Sequence, residues 1–176
     1  MKWWFKLVML LLAVGVLYIS FVMASLSRVA DDEKFDRLRK IQIAYINPKG
    51  EENCYKLPES NLLPNNVFYP LKELRDNLWI YFSRDKIDRL RILLLIRDKK
   101  IEEILLLKES GINEKIVERQ INKVNELAKE LNASLMRLNN TTETKELQRR
   151  METADDFYKF ISKKFFNMER VEKCYE

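Results

Sequence analysis

Beyond Pro70 the chain has no proline, and Gly111 is its only glycine. A sheet of short strands needs turn residues every few positions, and this half of the chain lacks them. Charged residues make up 34% of the whole, a balance that suits long solvated helices. The sequence therefore predicts an all-α fold from there on, and its apolar spacing divides that fold into four helices.

The first helix opens at Pro70, where the missing N–H costs nothing. Leu71, Leu74, Leu78, Tyr81 and Phe82 follow at three-to-four spacing, with Trp79 alongside, and are expected to feed a core. Ser83 is placed to cap a second helix that stops near Ser110-Gly111. Ile87, Leu90, Leu94, Ile101 and Ile104 lie along that helix. Within it the block Ile92–Ile96 is apolar around the full circumference, which predicts burial on more than one side.

Asn113 caps a third helix, with Ile112 and Val117 as a hydrophobic staple. Its seam is Val117, Ile121, Val124, Ala128, Leu131, Leu135 and Leu138. A break at Asn139–Thr142 precedes a fourth helix with the seam Leu147, Met151, Ala154, Tyr158, Ile161, Phe165 and Met168. Two heptad seams in succession predict packed antiparallel helices.

The other end of the chain is apolar. From Leu7 to Ala24 no residue is charged, about 18 residues or ~27 Å of helix, enough for a bilayer core. Trp3 and Trp4 stand where an interfacial aromatic belt would be, beside Lys2 and Lys6. These basic residues, with Asp31–Glu33 after the span, predict a single-pass cell-membrane anchor with the body outside the cytoplasm. The competing reading is a signal peptide cleaved after Val22-Met23-Ala24, and the long apolar run favours an uncleaved anchor. Both readings export the body.

The resulting division is an anchor over 1–24, a juxtamembrane linker over 25–62, a helical domain over 63–140 and a C-terminal amphipathic helix over 141–176 that packs on it. In the linker, Phe35, Leu38 and Ile41 read as one or two helical turns, and Ile46–Asn53 supplies turn signals.

The chain has no histidine, which removes the commonest general base and transition-metal ligand. Two cysteines are too few for a zinc cluster. In an exporting compartment Cys54 and Cys174 are either joined or two separate thiols, and spacing alone leaves both open. The net charge of +5 is concentrated at the start. Lys2, Lys6 and Arg28 precede any acid, so the body from Val29 carries about +2 and exerts little pull on nucleic acid. No catalytic, cofactor-binding or metal-binding constellation is expected.

Several residues invite a sharper reading. The carboxylates Glu102 and Glu103, or Asp85 and Asp88, read as a solvated face. Arg97 falls on the apolar stripe between Leu94 and Ile101, where it either pairs with an acid of another helix, such as Glu126 or Glu130, or snorkels to solvent. In the tail, Phe157, Phe160, Phe165 and Phe166 interleave with Lys159, Lys163 and Lys164. That pattern suits a core seam first, and a partner groove or membrane surface after it. Asn132–Ser134, Asn139–Thr141 and Asn140–Thr142 match glycosylation acceptors and read as polar helix-end residues.

The approach to the first helix carries a combination of motifs. Leu57-Pro58 follows Tyr55, then come Leu62, Leu63-Pro64, Tyr69-Pro70-Leu71-Lys72 and Leu74-Arg75-Asp76. This combination, over about Tyr55–Leu131, resembles a bacterial family of domains of unknown function found in exported or membrane-anchored proteins. The resemblance implies a helical domain in that location and brings no activity and no catalytic residues. The chain departs from the family at Phe82–Lys86, and its fourth helix lies outside the match.

The expected function is a membrane-tethered helical module acting through a protein partner or self-association, with Tyr69, Trp79, Phe160 and Phe166 as possible contact residues. The alternatives are an extracytoplasmic ligand sensor signalling through a membrane partner and, behind it, a cell-envelope hydrolase.

Overall fold

A computed structural model of the chain describes residues 2–29, 39–60, 62–111, 114–138 and 142–166. Its elements are α1 (Lys2–Val29), β1 (Arg39–Ile46), β2 (Glu52–Pro58), α2 (Tyr69–Phe82), α3 (Lys86–Glu109), α4 (Glu114–Leu135) and α5 (Thr142–Phe166). The fold is mostly α, and α1 is long and apolar enough over Trp3–Ala24 to cross a membrane.

Helix α3 is the axis of the body. Ile92–Ile96, Ile101, Ile104, Leu105 and Leu107 are buried, so its apolar circumference is used on several sides as the sequence predicts. Strand β2 and helices α2, α4 and α5 all pack against it. Asp85, not Ser83, caps its N-terminus, because the Asp85 carboxylate accepts from the Ile87 N–H at 3.4 Å. Ser83 instead closes α2, donating its backbone N–H to the Trp79 carbonyl.

The two heptad seams pack less on each other than on other elements, α4 on α3 and α5 on α3 and β1 alike, a correction to the expected antiparallel pair. An axial helix that is apolar all round offers each seam its own surface. Val117, Val124 and Leu131 of α4, and Leu147, Met151, Ala154 and Ile161 of α5, join the same core. Phe157, which the seam spacing leaves out, is fully buried with them.

The expected linker contains an antiparallel hairpin instead. Ile41 pairs with Leu57 and Ile43 with Tyr55, so Ile41 belongs to a strand and not to helical turns. The reason is a period of two. Ile43 and Tyr45 point into the core with Ile41 beside them, while Gln42 and Ala44 alternate with them. The turn signals act as expected. The Asn47 side chain accepts from the Lys49 and Glu51 N–H groups at 2.9 Å, and Gly50 takes φ 83°. The hairpin is held by aromatic packing, with Tyr55 stacked on Phe157 at 4.4 Å and Tyr45 edge-on to it at 5.5 Å. The Tyr55 hydroxyl also donates to the buried Asp98 carboxylate at 3.0 Å.

Asp31–Glu33, Phe35, Leu38, Ile112, Asn113, Asn139–Thr141, Met168 and Cys174 lie outside the described residues, as do the side chains of Phe165 and Phe166.

Candidate functional site

Helix α2 is short and unusual in what it buries. Its inward residues are Tyr69, Lys72, Asp76 and Trp79, while Leu71 and Leu74 are exposed. The expectation that these leucines feed the core is therefore corrected. The inward face instead meets charged positions of α3, and the result is a buried polar network.

Glu103 is at its centre and fully buried. Its carboxylate forms an ion pair with the Lys72 ammonium and accepts from the Tyr69 hydroxyl at 2.6 Å and the Ser60 hydroxyl at 3.2 Å. Lys72 also donates to the Ser60 hydroxyl at 2.6 Å. Beside it Glu102 accepts the Ser60 backbone N–H at 2.9 Å. The loop after β2 is thereby tied to α3 through one serine. Glu102 and Glu103 are not a solvated face, because a helix surrounded on every side must bury its charges as well.

A second layer extends toward α4. Lys100 donates to the Tyr69 hydroxyl at 3.2 Å and reaches Glu73 and Gln120 at 3.5 Å, and Lys123 pairs with Glu73. On the other flank the Arg75 guanidinium lies 4.6 Å from the Trp79 ring and the Lys99 ammonium 5.0 Å from it. Arg75 also donates to Asp76 at 2.6 Å.

Burial dominates the titration of these groups. It pushes the Glu102 carboxyl up to about 7, helped by the Glu103 charge and opposed by the Ser60 N–H. It pushes Lys99 down to about 8, against the pull of Asp76 and with the repulsion of Arg75 and Lys72. Lys100 is lowered by burial, which outweighs the attraction of Glu103. Burial and the charge of Glu103 raise the Tyr69 hydroxyl. Burial would raise Glu73 too, but Lys123 and Lys100 outweigh it and hold it below the usual range.

Between α2, α3 and α4 the network borders a cleft of about 270 Å³ that includes Glu73, Asp76, Lys100, Lys123, Glu126 and Glu130 in its lining. Among the described residues no group of three or more acidic or cysteine side chains is arranged to hold a metal ion.

The motif residues fall into two sets. Tyr69, Lys72, Arg75 and Asp76 build the network, and Leu57 with Pro58 ends β2 inside the core. Leu63 and Pro64 line the half-buried loop, Pro70 occupies the first turn of α2, and Leu71 faces outward. Of the possible contact residues, Tyr69 and Trp79 are buried at 5% and 4% exposure and serve the interior. Phe160 is half-buried against Tyr45 at 6.2 Å. Arg97 pairs with Asp155 of α5 at 2.6 Å, not with Glu126 or Glu130, because its side of α3 faces α5.

Sequence reasoning missed Ser60, Glu73, Lys100, Gln120 and Lys123. Six charges, Arg97, Asp98, Lys99, Lys100, Glu102 and Glu103, interrupt the apolar run of α3, and that interruption was the available signal. No family model, curated protein or solved structure matches the chain.

Proposed function

We propose that the chain is a membrane-tethered, extracytoplasmic helical module that acts through contact with a protein partner or a second copy of itself, without catalysis. The observation that carries this reading is the junction of anchor and body. Val22, inside the apolar window of α1, is fully buried in a cluster with Trp79, Ile92, Leu95 and Ile96. The Tyr18 hydroxyl donates to the Leu71 carbonyl at 3.1 Å. Cleavage after Ala24 would remove both contacts and uncover that cluster, which argues for a retained anchor. Lys2 and Lys6 before the span favour the body outside the cytoplasm. The motif likeness to a bacterial exported family agrees with that location. The buried carboxylates Asp98, Glu102 and Glu103 each have an internal hydrogen-bond partner, which suits architecture better than turnover.

Two measurements test this. The mass of the mature protein is expected to retain the first 24 residues, and a start at Ser25 removes the anchor. In-membrane crosslinking is expected to trap a dimer or a specific partner. A monomer at high concentration with no partner overturns the interaction role.

A sensor reading is favoured by one feature, the charged cleft bordered by α2, the helix that touches α1. A ligand that raises the melting temperature of the protein, with loss of the effect in Lys123→Ala, would select it.

A further inference from the structure

Helix α2 is amphipathic in the wrong sense for a helix facing water. Leu71, Leu74, Leu78 and Tyr81 alternate by three and four positions along one face of α2, and Val67, in the turn before the helix, continues that spacing. Four of these five are open, with exposures between 47% for Leu74 and 88% for Val67, and Phe68 beside them is also open. The opposite face buries the charged Lys72 and Asp76 together with Tyr69 and Trp79. Beyond α1, the other large apolar side chains exposed among the described residues are Ile46 and Met136, far from this face in sequence. A water-facing helix places its apolar stripe inward and its charges outward, whereas α2 buries two charges and leaves Leu71, Leu74 and Tyr81 open.

What covers this face is indicated by its neighbour. Tyr18 and Val22 lie within the Trp3–Ala24 window of α1 and touch α2 at Leu71 and Trp79. Tyr18 is six residues from the end of that window, a depth of ~9 Å at ~1.5 Å per residue. In-plane helices bury their apolar face by about 5–10 Å at the boundary of headgroups and acyl chains. The contacts with α1 therefore hold the Leu71 end of α2 at the depth where such helices lie, and the Trp79 end, beside Val22, ~3 Å below the edge of the window at ~1.5 Å per residue.

We infer that α2 is a second membrane contact, lying in the plane of the bilayer with Val67, Phe68, Leu71, Leu74 and Tyr81 in lipid. This rests on the reading of α1 as a membrane span. The occupant is lipid and not a second copy because the face is continuous with a helix already in lipid. The buried network then has a structural purpose. Lys72, Asp76 and their partners grip α2 from the body side, so that its apolar side is free for the membrane.

The test uses the full chain in phosphatidylcholine–phosphatidylglycerol vesicles. A photoreactive benzophenone amino acid replaces Leu10 in the span, Leu74 or Tyr81 on α2, or Glu146 on the exposed face of α5. Leu74 and Tyr81 are both open, and using two positions guards against one replacement disturbing the fold. Lipid adducts are expected at Leu10, Leu74 and Tyr81, at about tenfold the Glu146 level or more. Labelling at Leu10 with Leu74 and Tyr81 at the Glu146 level overturns the in-plane contact alone. Adducts from α2 to a second copy of the chain in place of lipid also overturn it. No lipid adduct at Leu10 overturns the span and the in-plane contact together.

Discussion

The ion pair of Lys72 and Glu103 has side chains 6% and 0% exposed, so both charges have lost nearly all their water. Pairing, with two further hydroxyl donors on Glu103, offsets that loss, but the removal of one partner would not. Lys72→Met is expected to cost about 3–5 kcal/mol in chemical denaturation, since it leaves a buried carboxylate with only hydroxyl partners. Adding Glu103→Leu should recover part of the loss, and a fully additive double variant would show that the two residues do not interact. Glu102 behaves differently because no cation neutralises it directly. Its carboxyl is raised from 4.5 to about 7 in the folded protein, so folding favours the protonated form. The contribution is present in full below pH 4.5 and is lost as pH rises through about 7. Glu102→Gln removes this dependence while keeping an acceptor for the Ser60 N–H. At pH 8 the variant is expected to be more stable than the parent by roughly 1–2 kcal/mol, a figure reduced for solvent screening. Near pH 4 the difference should vanish, and equal stabilities at pH 8 would remove Glu102 as the source.

At the scale of elements, the hairpin and α3 carry opposite kinds of information. The Asn47–Glu51 turn depends on Gly50 at φ 83°, with nothing within 4 Å of the site of a Cβ. Gly50→Ala therefore tests backbone conformation alone, and a loss of about 1 kcal/mol is expected from thermal unfolding. No change would mean that the turn relaxes freely. The helices were legible in the sequence because 3.6-residue periodicity and the Ile92–Ile96 block are local signals. The turn was legible too, through its Asn, Pro and Gly. The strands flanking it were not, since Ile41 fits helical spacing from Phe35 and Leu38 as well as strand alternation with Ile43. Only the partner strand, with Ile41 opposite Leu57, separates the two. The buried network was hidden for a similar reason. Whether Glu103 faces water or Lys72 depends on where α2 docks, and Leu71 and Leu74 pointed to the wrong face of α2, while Leu78 does pack against the cluster around Trp79. Leu71 and Leu74 follow the usual rule only if lipid takes the place of the core.

For the whole molecule the informative residue is Cys54. It sits in β2 and is disulfide-bonded, and the sequence has one other cysteine, Cys174, outside the described residues. A bond between the two would close a loop that starts in the hairpin and encloses all four helices of the body. Such a loop restrains the unfolded chain strongly, by on the order of 4–5 kcal/mol in the entropy model. It would also require an oxidising compartment, so the chemistry of the bond and the orientation of the anchor are linked. Cys54→Ser, Cys174→Ser and the double variant are therefore expected to lower Tm by the same amount. Equal single losses with no further loss in the double variant identify one bond shared by both residues. Native protein from the membrane fraction should resist alkylation and shift in gel mobility only after reduction. Two alkylatable thiols in that native protein would refute the bond and remove its support for an extracytoplasmic body, leaving Lys2 and Lys6 as the argument for orientation.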